Sequence, residues 1–155
     1  MLTLVLPVDI TTRLHEALVR SGKREVGGVL MAEHVALNEF VVRDLTIHRR
    51  GTFASFIRRI EDAWMVLSRF FERTKRDYRR FNYIGEWHSH PSFEPVPSAQ
   101  DHQSMREIAL DESVAANFVV LMIVKLGPQG ILIGTAHTYL PDGSYQQSEL
   151  ILHRA

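Results

Sequence analysis

Gly85-Glu86-Trp87-His88-Ser89-His90-Pro91, followed after a short loop by Pro97-Ser98-Ala99-Gln100-Asp101, is the stretch that decides the fold. Residues two apart in an extended strand project from one face, so His88 and His90 point the same way. Asp101 stands eleven residues after His90, and two imidazoles with one carboxylate can hold a single metal ion. That donor set suits Zn²⁺, and three protein ligands leave a fourth position for water. An open position is what separates a reactive metal centre from a structural one. Tyr83 to His88 reads as a strand entering the motif. Pro91, Pro95 and Pro97 make the next segment a loop, because proline restricts its own backbone and that of the residue before it.

Each of these residues also has a plainer reading. Ser98-Ala99-Gln100-Asp101 is nearly a capping box, with Ser98 as N-cap and an acid three residues on, at the start of a helix reaching about Leu110. The two roles are compatible, since a helix start is a rigid place from which to present a ligand. Glu86 lies two residues before His88 and shares its face if the strand is regular, so it could support the metal ligands or line a substrate cleft. Trp87, on the opposite face, belongs to the core. Phe93, Glu94 and Val96 could touch a substrate or simply close the loop. Glu25, in Arg24-Glu25-Val26-Gly27-Gly28-Val29-Leu30, would on its own be a surface ion-pair member, although the two glycines permit close backbone approach. The remaining histidines, His102 among them, show no ligand spacing.

His-x-His-Pro, six residues, then Ser-x-x-Asp, with a distant glutamate before a glycine-rich strand, resembles the signature of the JAMM metallopeptidases of the MPN/JAB family. The resemblance runs from about Leu14 to about Thr138 and covers all five functional positions. It implies one Zn²⁺ per chain on His88, His90 and Asp101, Glu25 as general base and acid, and Ser98 as a hydrogen-bond donor to the oxyanion. It implies an α/β single-domain MPN/JAB (cytidine-deaminase-like) fold, a mixed curved sheet flanked by helices. The expected activity is hydrolysis after the C-terminal glycine of a ubiquitin-like protein, and the compact chain resembles deconjugating peptidases of bacterial ubiquitin-like antiphage operons. The partners so implied are a ubiquitin-like protein or its conjugate and E1- and E2-like operon products. Glu86 and Phe93 are the candidate substrate contacts. Two alternatives stand beside this: a peptidase trimming a small residue such as cysteine from a sulfur-carrier protein, and an inactive interaction scaffold.

Composition bounds the remaining classes. At 155 residues the chain is expected to be one domain, 1–155, with a sizeable core. Eighteen basic residues balance eighteen acidic ones, so no global field favours nucleic acid or membrane. The local basic clusters Arg49-Arg50, Arg58-Arg59 and Arg73 to Arg80 read as solvated faces or as a rim for an acidic protein partner. Absence of cysteine excludes a disulfide framework, a cysteine nucleophile and thiolate metal sites. The apolar N-terminus is short and lacks a basic start, so no signal peptide is expected and a cytoplasmic location is.

The flanking pattern predicts an edge strand over Thr3 to Val8 and a helix from Thr11 with Leu14, Ala17 and Leu18 on one face. Asp9, Thr11 or Thr12 is expected to cap that helix, and Gly22 to end it. Val26 to Met31 and Glu39 to Leu45 read as strands joined by a turn near Glu33-His34 or Leu37-Asn38. A long helix is expected from Ser55 to Lys75, its apolar face made of Phe56, Ile57, Ile60, Ala63, Trp64, Leu67, Phe70 and Phe71. Phe118 to Val124 suits a buried central strand. A turn at Gly127 to Gly130, a strand over Ile131 to Tyr139 and a short C-terminal segment complete the chain.

Overall fold

The computed structural model describes residues 1–49, 56–111 and 117–154. In chain order the described elements are β1 Thr3–Leu6, α1 Val8–Ser21, β2 Val26–Ala36, β3 Glu39–Leu45, β4 His48–Arg49, α2 Phe56–Arg73, β5 Phe81–Ser89, α3 Ala99–Leu110, β6 Val119–Leu126, a 3₁₀ turn Pro128–Gly130, β7 Leu132–Tyr139 and β8 Tyr145–Leu152. The strands run β3-β1-β8-β7-β6-β5-β2-β4, and a further β3–β2 pairing closes seven of them into a ring. Three pairings are parallel, β1–β3, β1–β8 and β5–β6, so the sheet is mixed.

Closure gives the sheet an inside and an outside. The inner face and the apolar stripe of α1 share one core, in which Ile10, Leu14 and Leu18 meet Leu4, Leu30, Val42, Trp87, Met122 and Ala136. Two smaller clusters lie outside. Ala63, Leu67 and Phe70 of α2 pack on Val29 and Met31, while Met105, Ile108 and Ala109 of α3 pack on Val119, Leu121, Ile123 and Tyr139. Each large side chain so buried contributes about 1.5–3 kcal/mol. Trp87 also satisfies its polar end, its indole N–H donating to the Thr46 carbonyl at 2.8 Å.

Gly85 decides which side chains of β5 face outward. The β2–β5 register slips there, with Leu30 opposite Gly85 but Met31 opposite Tyr83. One extra residue resets the alternation. Ile84 and Trp87, three apart, both join the inner core, whereas Tyr83 lies with the outer α2 cluster. Only glycine fits at this bulge. Its φ is +151°, and a Cβ would lie 1.9 Å from the Val120 carbonyl oxygen.

The structure corrects several expectations. β1 is internal rather than an edge, because β3 and β8 pair with it on both sides. The C-terminal segment is an eight-residue strand, β8, that completes the ring. α1 begins at Val8 behind Pro7, with no side-chain cap; Thr11 instead donates to the carbonyls of Val8 and His153. Gly22 ends the helix with φ +57°. The β2–β3 turn falls at Leu37-Asn38, where Asn38 takes φ +58°. Trp64, expected on the apolar face of α2, is 62 % exposed, since the buried stripe runs through Ala63, Leu67 and Phe70. The expected helix start at Ser55 and the side chains of Phe56, Ile57 and Ile60 lie outside the described residues.

Candidate metal centre

The centre forms where β5 leaves the sheet and α3 begins. Past the Gly85 bulge, Glu86 and His88 are two residues apart on the outer face, and both are buried. β5 stays paired to β6 as far as Ser89 opposite Val124, and the His90 amide donates to the Val124 carbonyl at 3.0 Å. That continuation keeps His90 in line with His88.

Asp101 reaches the histidines through the helix cap. The Ser98 hydroxyl accepts from the Asp101 amide at 3.0 Å, and Asp101 Oδ2 accepts from the Ser98 amide at 3.0 Å, a complete capping box. The same Oδ2 lies 3.4 Å from His88 Nε2 and 3.6 Å from His90 Nε2, and the two Nε2 atoms are 3.1 Å apart. One carboxylate oxygen therefore serves the cap and faces both imidazoles. Burial alone would raise its pKa, but contact with the His88 and His90 imidazoles, the charge of His88 and the Ser98 amide hold it far below the usual carboxylate range.

These three atoms fit a metal ion. Tetrahedral zinc with ligands at about 2.0–2.1 Å places neighbouring donors about 3.3 Å apart, close to the separations found. His90 Nδ1 donates to the Glu94 carbonyl at 2.8 Å, which puts the ring lone pair on Nε2, the atom facing the other two donors. All three residues are buried and their donor atoms lie within 4.8 Å of one another.

Strand register sets the face on which Glu25 lies. Gly27 pairs with His88, and the Val26 amide donates to Ser89 Oγ at 3.0 Å. Along β2, Val26 and Leu30 face the inner core while Val29 and Met31 face outward. Continued back through Gly27, this alternation puts Glu25, half-buried just before β2, on the outer face with His88. A Cβ on Gly27 would lie 2.5 Å from the Trp87 carbonyl and 3.0 Å from His88 Cβ, so no side chain fits between Glu25's strand and the ligand.

The other expected site residues fall around this core. Ser98 is an exposed residue, and its hydroxyl hydrogen is not used by the cap. Phe93 is half-exposed, with its ring 4.1 Å from that of His90. Glu86 is 4 % exposed and lies between the α2 and α3 clusters, opposite Val29 and Leu121. Of the basic clusters, Arg73 pairs with Asp44 and Arg80 with Glu33; Arg50 and the side chains of Arg49, Arg58 and Arg59 lie outside the described residues.

Residues that spacing does not reveal also converge here. Lys125 Nζ donates to the Phe93 carbonyl at 3.1 Å and Thr135 Oγ1 donates to the Pro95 carbonyl. His102 Nδ1 meets the Tyr139 hydroxyl at 2.8 Å. No local pattern marks these groups, because their partners lie 32 to 40 residues away in sequence.

Comparison with known proteins agrees with the geometry. The family model described as prokaryotic homologues of the JAB domain matches residues 7–138. The chain belongs to the prokaryotic JAB family. This JAB domain is 35 % identical over 91 residues to a Vibrio cholerae protein named CD-NTase/cGAS isopeptidase, covering 58 % of each chain. It is 40 % identical over 48 residues to an Enterobacter hormaechei protein of the same name, covering 31 % of this chain and 27 % of that one. The matches thus span about three-fifths or less of those relatives. A solution structure of a Desulfitobacterium hafniense protein superposes with a TM-score of 0.68 at 15 % identity, covering 98 % of this chain and 94 % of that one; at that identity it shows a shared fold. No helix among the described residues is long and apolar enough to cross a membrane.

Proposed function

We propose that this JAB domain is a zinc-dependent isopeptidase that hydrolyses the bond after the C-terminal glycine of a ubiquitin-like protein. The observation that carries the proposal is the buried triangle of His88 Nε2, His90 Nε2 and Asp101 Oδ2, with Gly27 of the Glu25 strand registered opposite His88. A zinc ion held there would supply Lewis acidity and bring the pKa of bound water towards ~7.

The protein's own groups then divide the work. The Glu25 carboxylate accepts a proton from the attacking water and returns it to the leaving nitrogen, so the amine departs neutral. The Ser98 hydroxyl donates to the carbonyl oxygen as negative charge develops on it. The His90–Glu94 hydrogen bond keeps the imidazole tautomer and ring orientation constant. A flexible glycine-ended tail suits such a cleft, since it can lie extended along a sheet edge while the folded body docks outside. The name of the Vibrio and Enterobacter relatives supports deconjugation over trimming of a single residue, with a CD-NTase or cGAS-like protein as the conjugated target; E1- and E2-like writers are what the family resemblance implies. A complete donor set argues against an inactive scaffold.

The test is cleavage of a panel of ubiquitin-like C-terminal fusions and conjugates by zinc-loaded protein. One substrate should be cut after its terminal glycine. Glu25→Gln should lower kcat by about 10²–10⁴ while binding zinc as the wild type does. Full activity in Glu25→Gln would remove the proposed base.

A further inference from the structure

We propose that Thr135, His137 and Tyr145 form a hydrogen-bonded strut that positions the metal ligand His90 through the Pro91–Pro97 loop. The inference rests on the reading of His90 as a zinc ligand.

The strut begins on the outer face of the sheet. Ile123 lies between His88 on one side and Thr135 on the other, so Thr135 stands in the same cross-strand row as the ligand. Leu121 is likewise flanked by Glu86 and His137, and Tyr139 is paired with Tyr145. Three polar side chains thus descend β7 and β8 where the neighbouring outer positions of β6 are apolar.

Their hydrogen bonds run in one direction. The Thr135 hydroxyl donates to the Pro95 carbonyl. Having spent its hydrogen there, it accepts from His137 Nε2 at 2.7 Å. With its proton on Nε2, His137 presents a lone pair on Nδ1, which accepts from the Tyr145 hydroxyl at 2.7 Å. His137 is 2 % exposed and stacks on Tyr145 with an interplanar angle of 14°. Burial, with a smaller contribution from neighbouring His102, lowers its pKa to about 4, so the ring is neutral at neutral pH and its two hydrogen bonds fix which nitrogen carries the proton.

The other end of the loop receives that order. Pro95 is buried and adjoins Glu94, whose carbonyl accepts from His90 Nδ1 at 2.8 Å and from the Val96 amide at 2.8 Å. Without Thr135 the described side-chain ties on this loop reduce to Lys125 on the Phe93 carbonyl and the His90 bond itself. Groups that orient a ligating histidine typically affect metal affinity by 10–100-fold. Thr135 acts one residue further out, which points to the lower end.

The experiment uses Thr135→Val, which keeps the side-chain shape and removes the hydroxyl, and Thr135→Ser, which keeps the hydroxyl. Zinc affinity is measured by competition with a chromophoric chelator, and exchange of the Val96 amide is followed in the metal-free protein. Thr135→Val should weaken zinc about 10-fold and speed Val96 exchange, and Thr135→Ser should restore both. Tyr145→Phe should shift both in the same direction by a smaller factor. Unchanged zinc affinity in Thr135→Val, whatever its thermal stability or exchange rate, would overturn the strut. Wild-type protein that took up no zinc would overturn the metal reading beneath it, an outcome distinguishable from failure of the strut alone.

Discussion

Ser98 is where two roles of one side chain can be separated by substitution. Its oxygen caps α3 by accepting the Asp101 amide, and its hydrogen is the proposed donor to the oxyanion. Ser98→Ala removes both. Loss of the cap costs about 1 kcal/mol, or a drop in Tm of about 2–4 °C for a chain of this size. Loss of the donor costs about 2.7–4 kcal/mol in the transition state, about 10²–10³ in kcat. Ser98→Gly is more telling, because glycine is a fair N-cap and loses only a few tenths of a kcal/mol there. Its Tm should stay within about 1 °C of wild type by the same scaling, while kcat still falls about 10²–10³-fold. Ser98→Thr should resemble wild type in both. The assay pairs thermal unfolding with cleavage of the fusion substrate at saturating zinc, with zinc affinity measured for each variant. Ser98→Gly cleaving within about threefold of wild type would refute the oxyanion role and leave Ser98 as a helix cap. A fall in kcat that merely tracked weaker zinc binding would refute it too, placing the effect on Asp101.

Other expectations concern the metal and the buried histidine. Zinc at about 100 times its Kd should stabilise the fold by about 2.7 kcal/mol, a rise in Tm of roughly 5–10 °C, reversed by chelator and absent in His88→Ala; equal shifts in both proteins would mean that zinc binds elsewhere. His137, with a folded pKa of about 4 against about 6.5 unfolded, makes the unfolded chain the better proton acceptor. Its contribution is therefore complete above pH 6.5 and declines as pH falls towards 4. The full shift corresponds to about 3 kcal/mol, which solvent screening reduces to about 1–2 kcal/mol. Urea unfolding of chelator-treated protein between pH 8 and 4 should show that loss, and His137→Gln should flatten it; an equally steep profile in the variant would assign the loss to other groups.

Much of the centre was legible in the sequence because its parts are local. Two-residue spacing in an extended chain puts His88 and His90 on one face, and pairing with Val124 carries that extension as far as His90. Ser98 and Asp101 are joined by the geometry of a helix start, and the donor types already favour zinc. The helix α2 followed from periodicity, α3 from its capping pattern and the central strand β6 from an apolar run for the same reason, since dihedral preference and side-chain direction are set within a few residues.

The tertiary structure decided what depends on register and closure. Glu25 shares the outer face with His88 only because Gly27 pairs with His88, 61 residues later in sequence. A regular alternation would give Tyr83, Gly85 and Trp87 one face; the Gly85 bulge breaks it and keeps Tyr83 outside while Trp87 turns inward. Thr3 to Leu6 carries the pattern of an edge strand, yet β8 arrives from the far end of the chain and makes it internal. Thr135 and His137 carry no motif at all, and their role comes from the loop that β7 happens to face. Composition and spacing report the conformational preferences of neighbours along the chain, whereas pairing between distant strands is chosen by burial of the whole core, a sum that no short segment contains.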